Sequence, residues 1–424
     1  MKSQYKNFKF NFLIFILFIF FLGVYNLHIK HLVLNDSTIS EYLINYQGGF
    51  TRRGLIGEIC FQFAQYFKFD LRFSIFLIQA SIFFTYLALF YSYIKDLPKN
   101  ILTIIAIFSP AFLLYPLSEL EVLARKEMFL FITFIIFLNI SNFKFSKNVP
   151  LIYIFLVFPI MILIWEPSIF FLPFIAIIIL INNNSDSFKK IFLKTFLSFS
   201  SSIVVFFYII THLLSEDAHT LMRNSLYEKF GELCYMSCAL LGSKSSIQAQ
   251  FSAVNELYTL KIIFTYILII IMCFLPLFIL LYYSKFKKKI YFLKYSINCL
   301  PTLLLLLAPV LILFASATDW GRWVNISYTF SILLYFYLIK NDLIIVNSKI
   351  LYFDKFYGNR KKLFIFLFFI FAFFWNPKTS MRGDIGTNSL YKIIYNSSKK
   401  IIGFNSFRLF QDSPLLKFHK KYIE

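Results

Sequence analysis

Long apolar stretches alternate with short polar ones along most of this chain, and their spacing is that of helices crossing a bilayer. Eleven stretches read as spans: 8–27, 71–93, 101–115, 128–142, 150–165, 168–183, 192–214, 259–283, 296–316, 326–339 and 363–375. The expected fold is all-α, a polytopic integral membrane protein of about 11 transmembrane helices (range 9–13). In this reading residues 1–376 are the transmembrane domain, with loops 28–70, 116–127, 215–258 and 317–325 on one face and a short polar tail, 377–424, beyond it. The first stretch follows Lys2 and Lys6 as a secretory signal does, but it lacks a small-residue cleavage site and reads as a retained helix. In the first loop Gly48 and Gly49 mark a turn, and Ser37 or Ser40 is placed to cap a short helix carrying Glu41. After the turn Leu55, Ile56, Ile59, Cys60 and Phe63 recur at helical spacing, which predicts an amphipathic helix at the interface.

Composition agrees with a membrane protein. Of 424 residues 59% are hydrophobic and only 15% charged, where a soluble domain carries about 25%. The net charge of +21 would suggest nucleic acid on a soluble protein. Here lysines in cytoplasmic loops account for it, so no nucleic-acid partner is expected.

Charge type then separates the two faces. With the N-terminus cytoplasmic, 1–7, 94–100, 143–149, 184–191, 284–295 and 340–362 lie inside, and lysine dominates them. Of the nine arginines only Arg360 falls inside; Arg52, Arg53, Arg72, Arg125, Arg223, Arg322, Arg382 and Arg408 fall outside. Of the 21 acidic residues only Asp96, Asp186, Asp342 and Asp354 fall inside. Lysine alone satisfies topology, whereas arginine forks grip phosphate oxygens in a bidentate way, so the outer face is where a site is expected.

Several outer segments carry candidate chemistry. Asp36 and Glu41 follow the first span, and Thr51 is placed to cap a helix whose first turn holds Arg52 and Arg53. Positive charge there opposes the helix dipole unless an anion is bound. Arg125 and Lys126 lie in an acid-rich turn, where Glu121 is placed to pair with Arg125 four residues on. Glu166 lies between two apolar runs, where a carboxylate is costly and functional by default. Trp320 and Trp323 bracket Asp319 and Arg322, an arrangement suited to stacking on a sugar as well as to an interfacial aromatic belt. The loop 215–258 adds Glu216, Asp217, His219, Arg223, Glu228, Glu232 and Gln248. Cys234 and Cys238, four apart in that loop, leave a disulfide open. No GxxxxGK[ST], HExxH or GxSxG motif occurs, which argues against an ATP-driven motor, a zinc protease and a serine hydrolase elbow.

The acidic first loop, with "YQGGFTRRGLIGE", "ARKE" and "DWGRW", resembles the multispanning proteins associated with bacterial surface-polysaccharide synthesis. The layout is similar to that of the C-type membrane glycosyltransferases, the GT-C superfold; O-antigen polymerases are the rival resemblance. The likeness covers the first half of the chain and, through "DWGRW", part of the second. It implies a sugar donor on a polyprenyl phosphate, a glycan or lipid-linked acceptor, membrane lipid as surroundings, and an active periplasmic face of the bacterial inner membrane. It implies Asp36 or Glu41 as base, with Asp319 a further catalytic candidate. Arg52, Arg53, Arg125, Lys126 and Arg322 are the implied phosphate ligands, and Trp320, Trp323 and Glu166 the implied sugar contacts. The superfold often shows paired acids in this loop where this chain has Asp36 and Glu41 five apart; no cofactor is certain, and a divalent metal stays open. A lipid-linked glycan transporter is the non-enzymatic alternative, and the lack of mid-span charge argues against it.

Overall fold

The computed structural model describes residues 2–33, 36–97, 100–142, 148–183, 186–242, 254–287, 298–347, 350–381, 389–402 and 421. Gln248, Arg382 and Arg408, with most of the tail beyond 402, lie outside the described residues. The chain divides into two compact units, each assembled from two separate stretches: residues 1–93 with 123–246, and 94–122 with 247–424.

The fold is helical, but the span count is corrected. Among the described residues five helices are long and apolar enough to cross a membrane, not about eleven: Lys9–His31, Leu71–Ile94, Phe188–Thr211, Leu260–Tyr282 and Cys299–Ser316. The other stretches fail for separate reasons. The expected span 101–115 is a seven-residue helix, Ile101–Ile107, ended ahead of Pro110, which disfavours helix in the residue before it. Glu127–Asn142 and Val149–Ile164 have 16 residues each, about 24 Å at 1.5 Å per residue, against a hydrocarbon core of about 30 Å. Glu166–Asn182 is also a shorter apolar helix, and Lys361–Phe373 has 13 residues. The alternation of sides built on eleven crossings falls with that count.

In the first unit, helices Lys2–His31 and Leu71–Ile94 run antiparallel, because rings pair in reverse order along them. Phe12 meets Tyr91 at 6.1 Å, Phe20 meets Phe84 at 5.3 Å, and His31 meets Phe76 at 5.2 Å. Outward faces of the long helices carry bare Phe21, Phe84, Val204 and Phe207, which suits lipid and not water. Val149–Ile164 packs on Phe188–Thr211. Pro159 lacks the N–H that would take the Phe155 carbonyl, and the Ser201 hydroxyl donates to that oxygen instead, at 2.6 Å.

The second unit is built around Trp320–Lys340, which is buried from Trp320 through Leu338. It replaces the expected span 326–339. Two of its polar side chains are met within the unit: Asn325 Nδ2 donates to the Ala111 carbonyl at 2.8 Å and the Tyr328 hydroxyl to that of Ala106 at 2.6 Å. It is therefore a core helix of the protein, too rich in Ser, Thr, Tyr and Asn to rank with the spans. A short antiparallel ribbon pairs Ser284–Phe286 with Ile344–Val346. In the tail, the helix Ser389–Ile402 docks on Tyr115–Ser118, with Asn396 Nδ2 donating to the Ser118 carbonyl at 3.3 Å.

Candidate functional site

Three connecting segments of the first unit come together, those carrying Tyr42 and Arg53, Ala124 to Lys126, and Glu166. Asp36 is the residue that caps Ser37–Ser40, in place of Ser37 or Ser40: the Thr38 N–H donates to Asp36 Oδ1 at 2.8 Å and the Thr38 hydroxyl at 2.6 Å. Lys30 Nζ, from the end of the first helix, lies 3.1 Å from both carboxylate oxygens. Burial pushes the Asp36 carboxyl up, but Lys30 and the Thr38 hydrogen bonds outweigh it and hold the group below the usual aspartate value. One turn later Glu41 is fully buried and ion-paired with Arg125, itself buried. The chain is not α-helical from Glu121 to Arg125, since Leu120–Val122 is a 3-10 turn and Ala124 has φ 51°, so helical four-residue spacing does not govern Arg125. Tyr42 fixes the same corner by donating its hydroxyl to the Ala124 carbonyl at 2.8 Å.

Gly54–Phe67 is the amphipathic helix, and it starts later than the sequence suggests. Arg53, not Thr51, is its N-cap, with φ 61° and no side-chain capping bond, so Arg52 and Arg53 precede the helix and do not occupy its first turn. The buried stripe is Ile56, Cys60, Phe61 and Ala64, while Ile59 is exposed. Gly57 permits this docking, because a Cβ there would lie 1.8 Å from the Ile44 carbonyl oxygen and 2.7 Å from that of Tyr42. Glu58 reaches back to accept from the Tyr46 N–H and from Gln47 Nε2, both at 2.9 Å.

Arg53 and Glu166 form a forked pair. Arg53 Nε is 2.8 and 2.9 Å from the two oxygens, and Nη2 is 2.6 Å from Oε1. Lys126 has no exposed surface, and its ammonium donates to the Arg53 carbonyl at 2.5 Å and lies 5.8 Å from the centre of the Tyr42 ring. Burial pulls its pKa down to about 7; Arg53 adds to the depression, while Glu41, Cys60 and Glu166 oppose it. Arg52 is the exception in this network. Its guanidinium makes no hydrogen bond or ion pair with another described residue, although Glu166 lies within electrostatic reach. Burial lowers its pKa, and neighbouring Arg53 lowers it further.

The Lys126 shift sets a pH dependence. An unfolded lysine stays protonated up to about 10.4, whereas this one deprotonates near 7 in the folded chain. The unfolded state therefore binds more protons between those values, and this group makes stability rise with pH across that window, by up to about 1.4 kcal/mol per unit. Unfolding measured between pH 7 and 9 should show the wild type gaining stability relative to Lys126→Met as pH rises. Parallel curves would show that Lys126 keeps an ordinary pKa.

Six of the residues singled out from the sequence thus meet here: Glu41, Arg52, Arg53, Arg125, Lys126 and Glu166. Asp36 lies one short helix from Glu41. Sequence reasoning missed the partner of Arg72, whose Nε and Nη2 hold the Glu232 oxygens at 2.6 and 2.7 Å while Nη1 donates to the Val33 carbonyl at 2.6 Å. Next to it Cys234 and Cys238 are joined by a disulfide. The carboxylate and arginine stand 160 positions apart, and no local pattern links them.

The remaining candidates belong to the second unit. Arg322 is buried, 3.3 Å from Asp319 and stacked over Trp323 at 5.4 Å. Trp320 is enclosed by Tyr258, Tyr266 and Phe314 and donates its indole N–H to the Phe314 carbonyl at 2.8 Å. Both tryptophans are buried, so their rings pack against protein. In the same unit Glu119 accepts from Lys392 and from Asn376 Nδ2. Among the described residues no group of three or more His, Cys, Asp or Glu stands together in a way that could hold a metal ion.

These features define a helical, multi-pass membrane protein with a buried ionic network in its first unit. Compared with family models, with curated proteins and with solved structures, the chain matches none.

Proposed function

We propose that this chain is a membrane glycosyltransferase that takes a sugar from a polyprenyl-phosphate-linked donor at the outer face of the bacterial inner membrane. The observation that carries the reading is Arg52: a guanidinium held beside an ionic network in which Glu166 is gripped by Arg53, so that Arg52 has no described carboxylate in hydrogen-bond contact. A donor phosphate supplies the anion, and the start of Gly54–Phe67, which has no side-chain cap, adds positive potential beside it. As the sugar leaves, charge grows on the phosphate, and fixed cations at the membrane boundary stabilise it. Of the two loop carboxylates, Glu41 is sealed against Arg125 and Asp36 keeps exposed surface, so the acceptor hydroxyl gives its proton to Asp36. The disulfide supports the outward orientation, since such bonds persist in oxidising compartments.

The test is binding of a fluorescent polyprenyl phosphate to the full chain in nanodiscs. Arg52→Ala should weaken it about 10- to 100-fold, the loss of one charge-assisted contact. Arg52→Lys should rescue little, because an ammonium lacks the fork. Unchanged binding in Arg52→Ala would remove the basis of the reading. Glycan from an Asp36→Asn strain then separates the activities: chains missing one sugar indicate a transferase, single repeat units on the lipid core a polymerase.

A further inference from the structure

The second unit carries an apolar groove that the proposed transfer chemistry does not use. It has a volume of about 610 Å³ and is lined by Leu102, Leu275, Ile279, Phe356, Phe364 and Phe368, with Leu367 at its edge. That volume falls in the range of ligand pockets, about 300–1,000 Å³. Pro276 also lines it, in the middle of the membrane-crossing helix Leu260–Tyr282. A proline inside a helix removes one hydrogen bond and pushes against the preceding turn, which makes room beside it.

Basic residues adjoin two of the segments that line the groove. Arg360 lies 5.9 Å over the ring of Phe356, one of the lining residues. Lys361 and Lys362 follow at the start of Lys361–Phe373, the helix that supplies Phe364 and Phe368. Lys355 is on the preceding helix, and all four cations are exposed and make no ion pair with a described residue. Cations at a helix start oppose its dipole, and no described carboxylate pairs with these.

We propose that this groove binds an anionic phospholipid, with one acyl chain along the phenylalanine wall and the phosphate at Arg360, Lys361 and Lys362. A hydrocarbon chain fits an aromatic and aliphatic wall in a membrane-crossing region, and a phosphate fits three exposed cations that pair with no described carboxylate. Its residues belong to the second unit, whereas those of the proposed donor site belong to the first.

Native mass spectrometry of the full chain, released from micelles doped with phosphatidylglycerol or phosphatidylcholine, tests the proposal. The wild type should retain phosphatidylglycerol about tenfold better. The triple variant Arg360→Gln, Lys361→Gln, Lys362→Gln should lose that preference while still holding phosphatidylcholine. Leu367→Trp, which fills the groove from an exposed position, should reduce retention of both lipids. Size-exclusion profiles and helical circular dichroism matching the wild type certify the fold of each variant. Equal retention of the two lipids by the wild type, or a preference that survives the triple variant, overturns the proposal. Displacement of phosphatidylglycerol by equimolar undecaprenyl phosphate also overturns it, by assigning the groove to an isoprenyl lipid.

Discussion

Arg125→Ala is expected to cost the fold about 3–5 kcal/mol, because it leaves the Glu41 carboxylate buried without its partner. The effect is not confined to one ion pair. Arg125 follows Ala124, whose carbonyl holds the Tyr42 hydroxyl, and precedes Lys126, whose ammonium holds the Arg53 carbonyl. A stranded charge therefore loosens the corner that presents Arg52. Replacing both partners by leucine should recover much of the loss, since two apolar side chains leave no charge to neutralise. Denaturant unfolding of Arg125→Ala, and of Arg125→Leu, Glu41→Leu and their double variant, in one detergent measures the loss and the coupling. A loss below about 1 kcal/mol in Arg125→Ala would mean that water reaches Glu41 and that the network is a surface feature.

The second large effect is expected at Gly57. Alanine usually stabilises a helix over glycine, by about 0.5–1 kcal/mol. Here the sign should reverse, because the new methyl would lie 1.8 Å from the Ile44 carbonyl oxygen and backbone cannot step aside as a side chain can. Separating the Gly54–Phe67 helix from residues 42–44 should cost about 3 kcal/mol, the upper part of the overpacking range. Gly54→Ala is the control: its nearest obstacle is the Tyr46 ring at 2.3 Å, a side chain able to turn away. Thermal unfolding should rank Gly57→Ala well below Gly54→Ala. The reverse order would place the helix elsewhere than against residues 42–44.

What was legible in the sequence divides along physical lines. The stretches 8–27, 71–93, 192–214, 259–283 and 296–316 could be read because uninterrupted apolar sequence of that length has few uses outside a membrane. The stretch 326–339 could not, because a helix sealed in protein and one bathed in lipid are both apolar; Asn325, Tyr328 and Thr329 reveal the difference only through their partners. The charged residues of the site were visible as types, since Glu41, Arg53, Arg125 and Glu166 stand out against Phe and Ile. Their pairing was not, because Glu41 meets Arg125 across 84 positions and Arg53 meets Glu166 across 113. The helix after Gly49 was legible by its period: Ile56 and Cys60, read on its apolar stripe, are buried, whereas Ile59, read on the same stripe, is exposed, because the contact with residues 42–44 narrows the buried face. Its start slipped because Thr51 is an ordinary cap, while a left-handed arginine at that position has no sequence signature.

The interleaving of the two units bears on how the protein is made. A ribosome delivers residues 94–122 well before residue 247, where the rest of their unit begins. At about 5–20 residues per second that is a wait of roughly 6–25 s, during which the first unit receives its last residues up to 246. A greasy segment must be sheltered for that time without the body it will join. Translation pauses, or an insertion chaperone at the membrane, would act on this interval, and a break in the gene at any single point within 1–424 divides at least one unit.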